Sequence, residues 1–267
     1  MRAYKIEAGT GQHIGDRVEQ QDRIALFAAP RAPGYMMAVL ADGMGGAKGG
    51  SIAAQQAIRT AQQIFDNFSP LTDEVEAVLH QIASELHTVI RLMTLSTQTR
   101  PQTTLAMLVL TPERSAIWGH VGDSRIYRFT GPNLAERTHD SGATPATATA
   151  TATATLSTAR SAPAVAPVLI GTAGAAPVLA IGRHAGLQVG DAFVLCSDGL
   201  WQFCRESELG AAVATHSPRD AAQMLIRKAR ERVTGGDGDN CTLAVIKLLP
   251  SPKETPQFHV DKLRRAV

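Results

Sequence analysis

The chain has 267 residues, of which 44% are hydrophobic and 4% aromatic, and its formal net charge is +2. This length suits one large domain or two small ones, with a core built from Ala, Val, Leu and Ile. A charge so near zero, without Lys/Arg runs between aromatics, argues against a nucleic-acid partner. The three cysteines form no Cys-x-x-Cys pair, which argues against a disulfide framework or a zinc ribbon.

Two amphipathic helices are predicted between the second and third of six apolar runs that predict strands. The strand runs are 23–29, 35–41, 103–110, 115–121, 191–197 and 241–248. In the second amphipathic stretch, apolar residues recur at helical spacing from Val75 onward, and Thr72 is the expected N-cap. A later helix is predicted from Pro218, with Ser217 before it as N-cap, to about Arg232.

The order of these elements favours mixed layers over a βαβ repeat. Turn signals at Thr111-Pro112 and Gly131-Pro132 favour antiparallel pairing of the strands around them. Helices on the outer faces of the sheets would bury all the apolar patterns, so an α+β fold is expected. No apolar segment has the length of a membrane span and no cleavage signal is apparent, so we expect a reduced, cytoplasmic protein without a membrane partner.

One segment departs from this pattern of strands and helices. Residues 143–155 alternate almost strictly between Ala and Thr, and small residues dominate as far as Ala180. Because Ala offers little surface to bury, we interpret residues 142–176 as a mobile surface insertion. A duplication or frameshift in a repetitive coding region is an alternative origin for it.

Five Asp residues stand where apolar runs meet turns, each beside a Gly or an amide. They are Asp22, Asp42, Asp123, Asp198 and Asp239. A single Asp in such a place is usually a turn or cap residue, but five are harder to explain as independent caps. Carboxylates clustered without His or Cys suit a hard cation such as Mg²⁺ or Mn²⁺. The Gly after Asp42 and after Asp198 would allow a sharp turn and expose a carbonyl to an ion.

Two other phosphate and hydrolase motifs are absent from the sequence. The Gly-rich run 43–50 lacks the Gly-Lys-Ser/Thr ending of a Walker-type phosphate loop. No Gly-x-Ser-x-Gly nucleophile elbow occurs either, which removes the simplest hydrolase interpretation.

Six short motifs occur in one order along the chain. They are Arg17…Gln21-Asp22, Val39-Leu-Ala-Asp42-Gly-Met-Gly-Gly46, Gln102-Thr-Thr104, Val121-Gly-Asp-Ser-Arg125, Leu195-Cys-Ser-Asp198-Gly-Leu-Trp201 and Asp239-Asn240-x-Thr242. Together they resemble the metal-dependent protein Ser/Thr phosphatases of the protein phosphatase 2C type, in particular bacterial members. The resemblance covers residues 17–248 except for 141–180. It implies one phosphatase domain over residues 1–250 and a C-terminal tail over 251–267.

The resemblance also implies a four-layer αββα sandwich with metal ions between two antiparallel sheets. Asp42 would bridge two Mn²⁺ or Mg²⁺ ions, and the Gly43 carbonyl would bind the second. Asp198 and Asp239 would complete the first ion.

The remaining site residues follow from the same resemblance. Asp22 would act mostly through a metal-bound water, and Asp123 with Asp198 would hold a third, weaker ion. Arg17 would grip the phosphate oxygens, and a hydroxide between two divalent ions would be available near neutral pH to attack phosphorus. The expected catalytic residues are therefore Arg17, Asp22 and Asp42.

Three departures from the family pattern bear on activity. Met44 stands where some relatives carry a His proposed as general acid, and Gln21 stands where a Glu is usual. The Thr-x-Asp-His-Ser segment that leads into the family's flap becomes Thr138-His-Asp140-Ser141, and the Ala/Thr stretch follows it.

The expected function is a monomeric bacterial protein Ser/Thr phosphatase that opposes a Ser/Thr kinase. The alternatives are a weakly active phosphoprotein-binding module and a phosphatase for small phosphate esters.

Overall fold

The computed structural model describes residues 4–46, 48–96, 99–141 and 168–251. The strands in these ranges are β1 (Lys5–His13), β2 (Asp22–Ala28), β3 (Met36–Met44), β4 (Gln102–Thr103), β5 (Leu105–Leu110), β6 (Ser115–Val121), β7 (Arg125–Thr130), β8 (Asn133–Arg137), β9 (Ala180–Ala185), β10 (Asp191–Cys196) and β11 (Cys241–Leu249). The helices are α1 (Gly49–Phe65), α2 (Val75–Ser96), α3 (Asp198–Trp201), α4 (Glu206–Thr215) and α5 (Pro218–Arg232).

Two antiparallel sheets stack face to face between two layers of helices. One sheet has the strand order β1-β11-β10-β7-β8, and the other has β2-β3-β5-β6-β9 with β4 paired to β3. Helices α1 and α2 cover the second sheet, and α3, α4 and α5 cover the first. The α+β prediction and the four-layer αββα arrangement are confirmed. No helix among the described residues combines the length and apolar character that crossing a membrane requires.

Each central strand divides its side chains between two hydrophobic cores, because successive residues of a strand point to opposite faces. In β5, Met107 packs beneath α1 and α2, whereas its neighbours Ala106 and Leu108 face the other sheet. In β10, Val194 packs beneath the helices of the first sheet and Phe193 faces the second. Burial on both faces explains why these strands are continuous apolar runs in the sequence.

The sequence patterns did not predict every element correctly. Strand β1 has few apolar residues, but it pairs with β11 over its whole length and is covered by α5. Helix α2 begins at Val75, and the expected N-cap Thr72 lies in a separate turn, where the Ser69 carbonyl accepts from the amides of Thr72 and Asp73. The start of α5 was predicted correctly, since the Ser217 hydroxyl accepts from the backbone amide of Asp220.

The sharp turn expected at Gly43 was wrong. Strand β3 continues through this residue to Met44, and the chain turns at Gly45 and Gly46, both with positive φ. A Cβ at Gly43 would collide with the carbonyl of Gly50 in the first turn of α1. Glycine is therefore required at this position because β3 and α1 approach closely there.

The predicted insertion, residues 142–176, lies largely outside the described residues, as does nearly all of the predicted tail. The last part of the predicted insertion, from Val168 onward, is packed into the fold. Ile170 is fully buried, and it exchanges two backbone hydrogen bonds with Thr103, at 2.9 and 3.1 Å. The chain from Val168 onward is thus attached to the sheet edge beside β4.

Truncating a side chain between the sheets should destabilise the whole fold. Leu108→Ala would leave a cavity in the core between the two sheets, and we expect a loss of about 3 kcal/mol in the free energy of unfolding. Urea unfolding followed by circular dichroism measures it. Leu95→Ala, which truncates a side chain 80% exposed on α2, is the matched control and should change stability by less than about 0.5 kcal/mol. Equal effects of the two substitutions would contradict the assigned core.

Candidate metal centre

The structure brings the predicted Asp residues to one end of the sandwich. Asp22 opens β2 and lies directly opposite Asp42 of β3 in the antiparallel register. The other three stand at strand ends of the two sheets: Asp123 between β6 and β7, Asp198 after β10, and Asp239 before β11. The sheet register therefore collects residues that lie up to 217 positions apart in the sequence, Asp22 to Asp239.

Asp22 is the most buried of the five, with 1% of its surface exposed. Its Oδ2 accepts a hydrogen bond from the Ser197 hydroxyl at 2.8 Å, and that hydroxyl oxygen also accepts from the amide of Thr242. Its Oδ1 is buried without a hydrogen-bond partner among the described residues. A buried carboxylate oxygen without a partner is costly, so it points to a ligand that supplies positive charge.

The backbone of Asp42 is fixed by two threonines. Thr104 accepts from the Asp42 amide through its hydroxyl and donates its own amide to the Asp42 carbonyl, both at 2.9 Å. The Thr103 hydroxyl donates to the same carbonyl at 3.0 Å. These contacts hold the backbone of Asp42 at the end of the strand pair where Asp22 also lies.

Asp239 and Arg17, predicted to bind metal and phosphate, are paired with one another. The guanidinium of Arg17 donates two hydrogen bonds to the Asp239 carboxylate, at 2.8 and 3.0 Å. Both side chains are about half exposed, so the pair contributes little to stability. The neighbouring Asn240 ties this region together, since its side chain accepts from the amide of Gln21 and donates to the carbonyl of Glu19.

A second group of contacts holds Asp123. Its carbonyl accepts from the indole nitrogen of Trp201 at 3.0 Å. Arg125 stacks 3.5 Å above the centre of the Trp201 ring and makes two hydrogen bonds to Asp140. The carboxylate of Asp198 accepts from Gln202 at 2.9 Å. Sequence reasoning recognised these motifs, but it did not predict the roles of Ser197, Trp201 or Asp140, because each acts through a contact distant in the sequence.

Burial and repulsion between carboxylates raise the pKa values of four of these carboxyl groups: Asp22, Asp42, Asp123 and Asp198. For Asp42, burial raises the pKa well above its usual range, and the negative charge of Asp22 raises it further. Burial and then the charge of Asp123 raise the pKa of Asp198 to about 7. Burial raises the pKa of Asp22 to about 6, and it also raises the pKa of Asp123. Groups held this close are expected to bind a cation.

The cluster forms the acidic floor of an open cleft of about 920 Å³. Asp42, Asp123, Asp198 and Asp239 line it, whereas Asp22 lies beneath its floor. The cleft is lined further by Arg17, Val18, Glu19, Gln21, Gly43, Met44, Gly45, Gly46, Lys48, Thr104, Leu169 and Asn240.

The donor chemistry of the cleft fits a divalent hard cation. The five Asp side chains offer carboxylate oxygens, and one of these, Asp22 Oδ1, is buried without a hydrogen-bond partner in the described part of the chain. Among the described residues, no three Asp, Glu, His or Cys side chains yet meet in an arrangement that could hold an ion. Both oxygens of Asp239 accept hydrogen bonds from Arg17 in this structure.

The raised pKa values predict how the stability of the metal-free protein depends on pH. In the unfolded chain an Asp titrates near pH 4, so between about pH 4 and 7 the folded state binds more protons than the unfolded state. Stability from these groups is present below pH 4 and lost as the pH rises to about 7. In EDTA the midpoint of thermal unfolding should therefore fall across this range. Asp42→Asn should reduce the fall, and the exposed control Glu85→Gln should not; equal curves would contradict the repulsion.

The comparisons with known proteins agree with this geometry. The family model described as Protein phosphatase 2C matches residues 9–231, well over half of the chain. Protein phosphatase PhpP of Streptococcus pneumoniae is 29% identical over 248 residues, which cover 87% of this chain and 93% of PhpP.

Solved structures show the same fold. The serine/threonine phosphatase of S. agalactiae superposes with a TM-score of 0.73 at 25% identity, covering 91% of this chain and 99% of its own. The catalytic domain of the serine/threonine phosphatase PstP, solved in complex with two manganese ions, gives a TM-score of 0.69 at 21% identity, covering 91% and 98%. The chain therefore belongs to the protein phosphatase 2C family of metal-dependent enzymes and is a phosphoprotein phosphatase.

Proposed function

We propose that this enzyme hydrolyses phosphoserine and phosphothreonine monoesters of proteins, with two divalent cations, Mn²⁺ or Mg²⁺, bound at the Asp cluster. The observation that carries the proposal is the set of mutually repelling carboxylates near Oδ1 of Asp22, a buried oxygen with no hydrogen-bond partner among the residues that the structure describes. Asp42, the Gly43 carbonyl, Asp198 and Asp239 would hold the two cations, with Asp22 behind them.

A weaker third site is proposed at Asp123 and Asp198, which both line the cleft and lie close enough that the charge of Asp123 raises the pKa of Asp198. When bound, the cations would supply an activated water nucleophile and positive charge for the transferring phosphoryl group. The open cleft gives a phosphorylated side chain access to them.

Arg17 would position the phosphate. Its guanidinium lines the cleft and offers two parallel N–H donors, the geometry that suits phosphate oxygens. In the present structure these donors bind Asp239, so Arg17 becomes available to phosphate when Asp239 serves as a cation ligand.

Met44 carries no proton to donate, so it cannot protonate the leaving group as a His could.

The partner kinase, the monomeric state and the cytoplasmic location stay predictions. They rest on the family resemblance and on composition.

Asp42→Asn should lower phosphatase activity by about a hundredfold or more, because it removes the carboxylate proposed to bridge both cations. The measurement is the hydrolysis of p-nitrophenyl phosphate and of a phosphothreonine peptide in Mn²⁺, compared with EDTA. Glu85→Gln serves as a control for loss of an acid outside the cleft and should keep full activity.

Three results distinguish the hypotheses. Tight phosphopeptide binding without metal-dependent turnover would favour the phosphoprotein-binding module. Turnover of small esters but not of phosphopeptides would favour the small-molecule phosphatase. Full activity of the wild type in EDTA would contradict the metal centre itself.

Arg17→Ala should raise KM for phosphopeptides by about tenfold with a smaller change in kcat, because the guanidinium is proposed to bind the phosphate in ground and transition states alike. Affinity for Mn²⁺ should not fall, since the substitution frees the Asp239 carboxylate. Steady-state kinetics and a Mn²⁺ titration measure the two effects. Arg227→Ala, which removes a side chain 74% exposed on α5, is the control. Unchanged kinetics in Arg17→Ala would remove its proposed role.

A further inference from the structure

Three apolar side chains lie around the acidic floor of the cleft: Val18, Met44 and Leu169. Val18 is fully exposed at 101%, and Met44 is 56% exposed, whereas Leu169 is almost buried. Single exposed apolar residues are ordinary on a protein surface. Here two exposed apolar residues and a nearly buried third line the same cleft, which makes them candidates for contact with a ligand.

The position of each of these residues is fixed by contacts. Val18 belongs to the segment that Asn240 ties down through the carbonyl of Glu19. Met44 is the last residue of β3 and pairs with Gln102 of β4. These contacts hold the backbone of both residues in place.

Leu169 is held from both directions. The residue after it, Ile170, pairs with Thr103, and the amide of Gly171 donates to Nδ1 of the buried His87 at 3.2 Å. A Cβ at Gly171 would collide with Ile90 of α2, so this segment lies directly on that helix. Leu169 is therefore presented to the cleft by packed structure.

We propose that Val18, Met44 and Leu169 form an apolar rim that binds an apolar side chain next to the phosphorylated residue of a protein substrate. This proposal rests on the function proposed above. Val18 follows the phosphate-binding candidate Arg17, and Met44 follows Gly43, so the rim borders the place where the phosphate would lie. An extended peptide advances about 3.3 Å per residue, which brings the residues flanking the phosphorylated one to the rim.

With cations bound at the Asp cluster, the carboxylates that line the cleft would be neutralised, so their charge does not select between an apolar and an acidic flanking residue. The arginines near Trp201 are the other groups that could make this choice. A second pocket of about 540 Å³, beyond Trp201, carries four arginines and could have selected acidic residues. Three of the four are already in ion pairs within the chain: Arg125–Asp140, Arg137–Glu206 and Arg232–Glu208.

The test compares phosphothreonine peptides that differ only in the two residues flanking phosphothreonine: Leu, Gln or Glu. The readout is kcat/KM for phosphate release by the full chain in Mn²⁺, divided by the value for p-nitrophenyl phosphate, which has no flanking residues. The Leu peptide should exceed the Gln peptide by about three- to tenfold, the range expected for partial burial of one apolar side chain. Val18→Ser and Met44→Gln should each reduce the ratio of the Leu-peptide value to the Gln-peptide value toward one. Leu71→Ser, which removes an equally exposed apolar side chain outside the cleft, should leave it unchanged.

The outcomes separate the two proposals. Hydrolysis of p-nitrophenyl phosphate with equal rates for all peptides would overturn the rim and keep the phosphatase. A preference for the Glu peptide would overturn the rim in favour of the arginine pocket. A Leu preference that survives both rim substitutions would also overturn it. No hydrolysis of any substrate in Mn²⁺ would overturn both proposals together.

Discussion

The repulsion between buried carboxylates is the constraint on which this site depends. Asp22 and Asp42 face each other across one β-ladder, and the charges of Asp123 and Asp198 act on the same place. The fold holds them there by hydrogen bonds from Ser197 and by threonines that fix the backbone of Asp42. Among the described residues, those bonds leave one oxygen of Asp22 without a hydrogen-bond partner, which is the place where the proposed cations would supply positive charge.

The same strands build the cores and the site. Alternate residues of β3 fill the space beneath α1 and the space between the sheets, and the strand then continues into Asp42 and Gly43. A shift of one residue in the pairing of β2 with β3 would turn the apolar faces outward and separate Asp22 from Asp42. Packing of the cores thus fixes the register that the site needs.

In the proposed function, the pairing of Arg17 with Asp239 would join metal binding to substrate binding. The Arg17 guanidinium binds the Asp239 carboxylate in the present structure and would bind phosphate when Asp239 binds a cation. The apolar rim adds a third element, because it flanks both the Arg17 segment and the Gly43 strand. Charge at the floor and apolar surface at the rim are the two properties that a phosphopeptide would meet in this cleft.

Much of the fold was predictable where apolar runs were long. Strands β3, β6, β10 and β11 and helix α5 fell within a few residues of their predicted bounds, because burial leaves a strong local pattern. Strand β1 was missed because its stability comes from pairing with β11 and contact with α5, not from its own composition. The turn predicted at Gly43 was wrong because the reason for that glycine is a distant carbonyl, that of Gly50.

The sequence by itself determined the family, through motifs in a fixed order, and it predicted which residues carry the chemistry: five Asp residues and Arg17. Residue type and local spacing are written along the chain, so they can be recognised without coordinates. Only the tertiary structure decided that Asp22 lies opposite Asp42, that Ser197 supports it, and that Arg17 binds Asp239. It also placed Val18, Met44 and Leu169 around one cleft. These relations join residues far apart in sequence, and the packing of two sheets against each other is what brings them together.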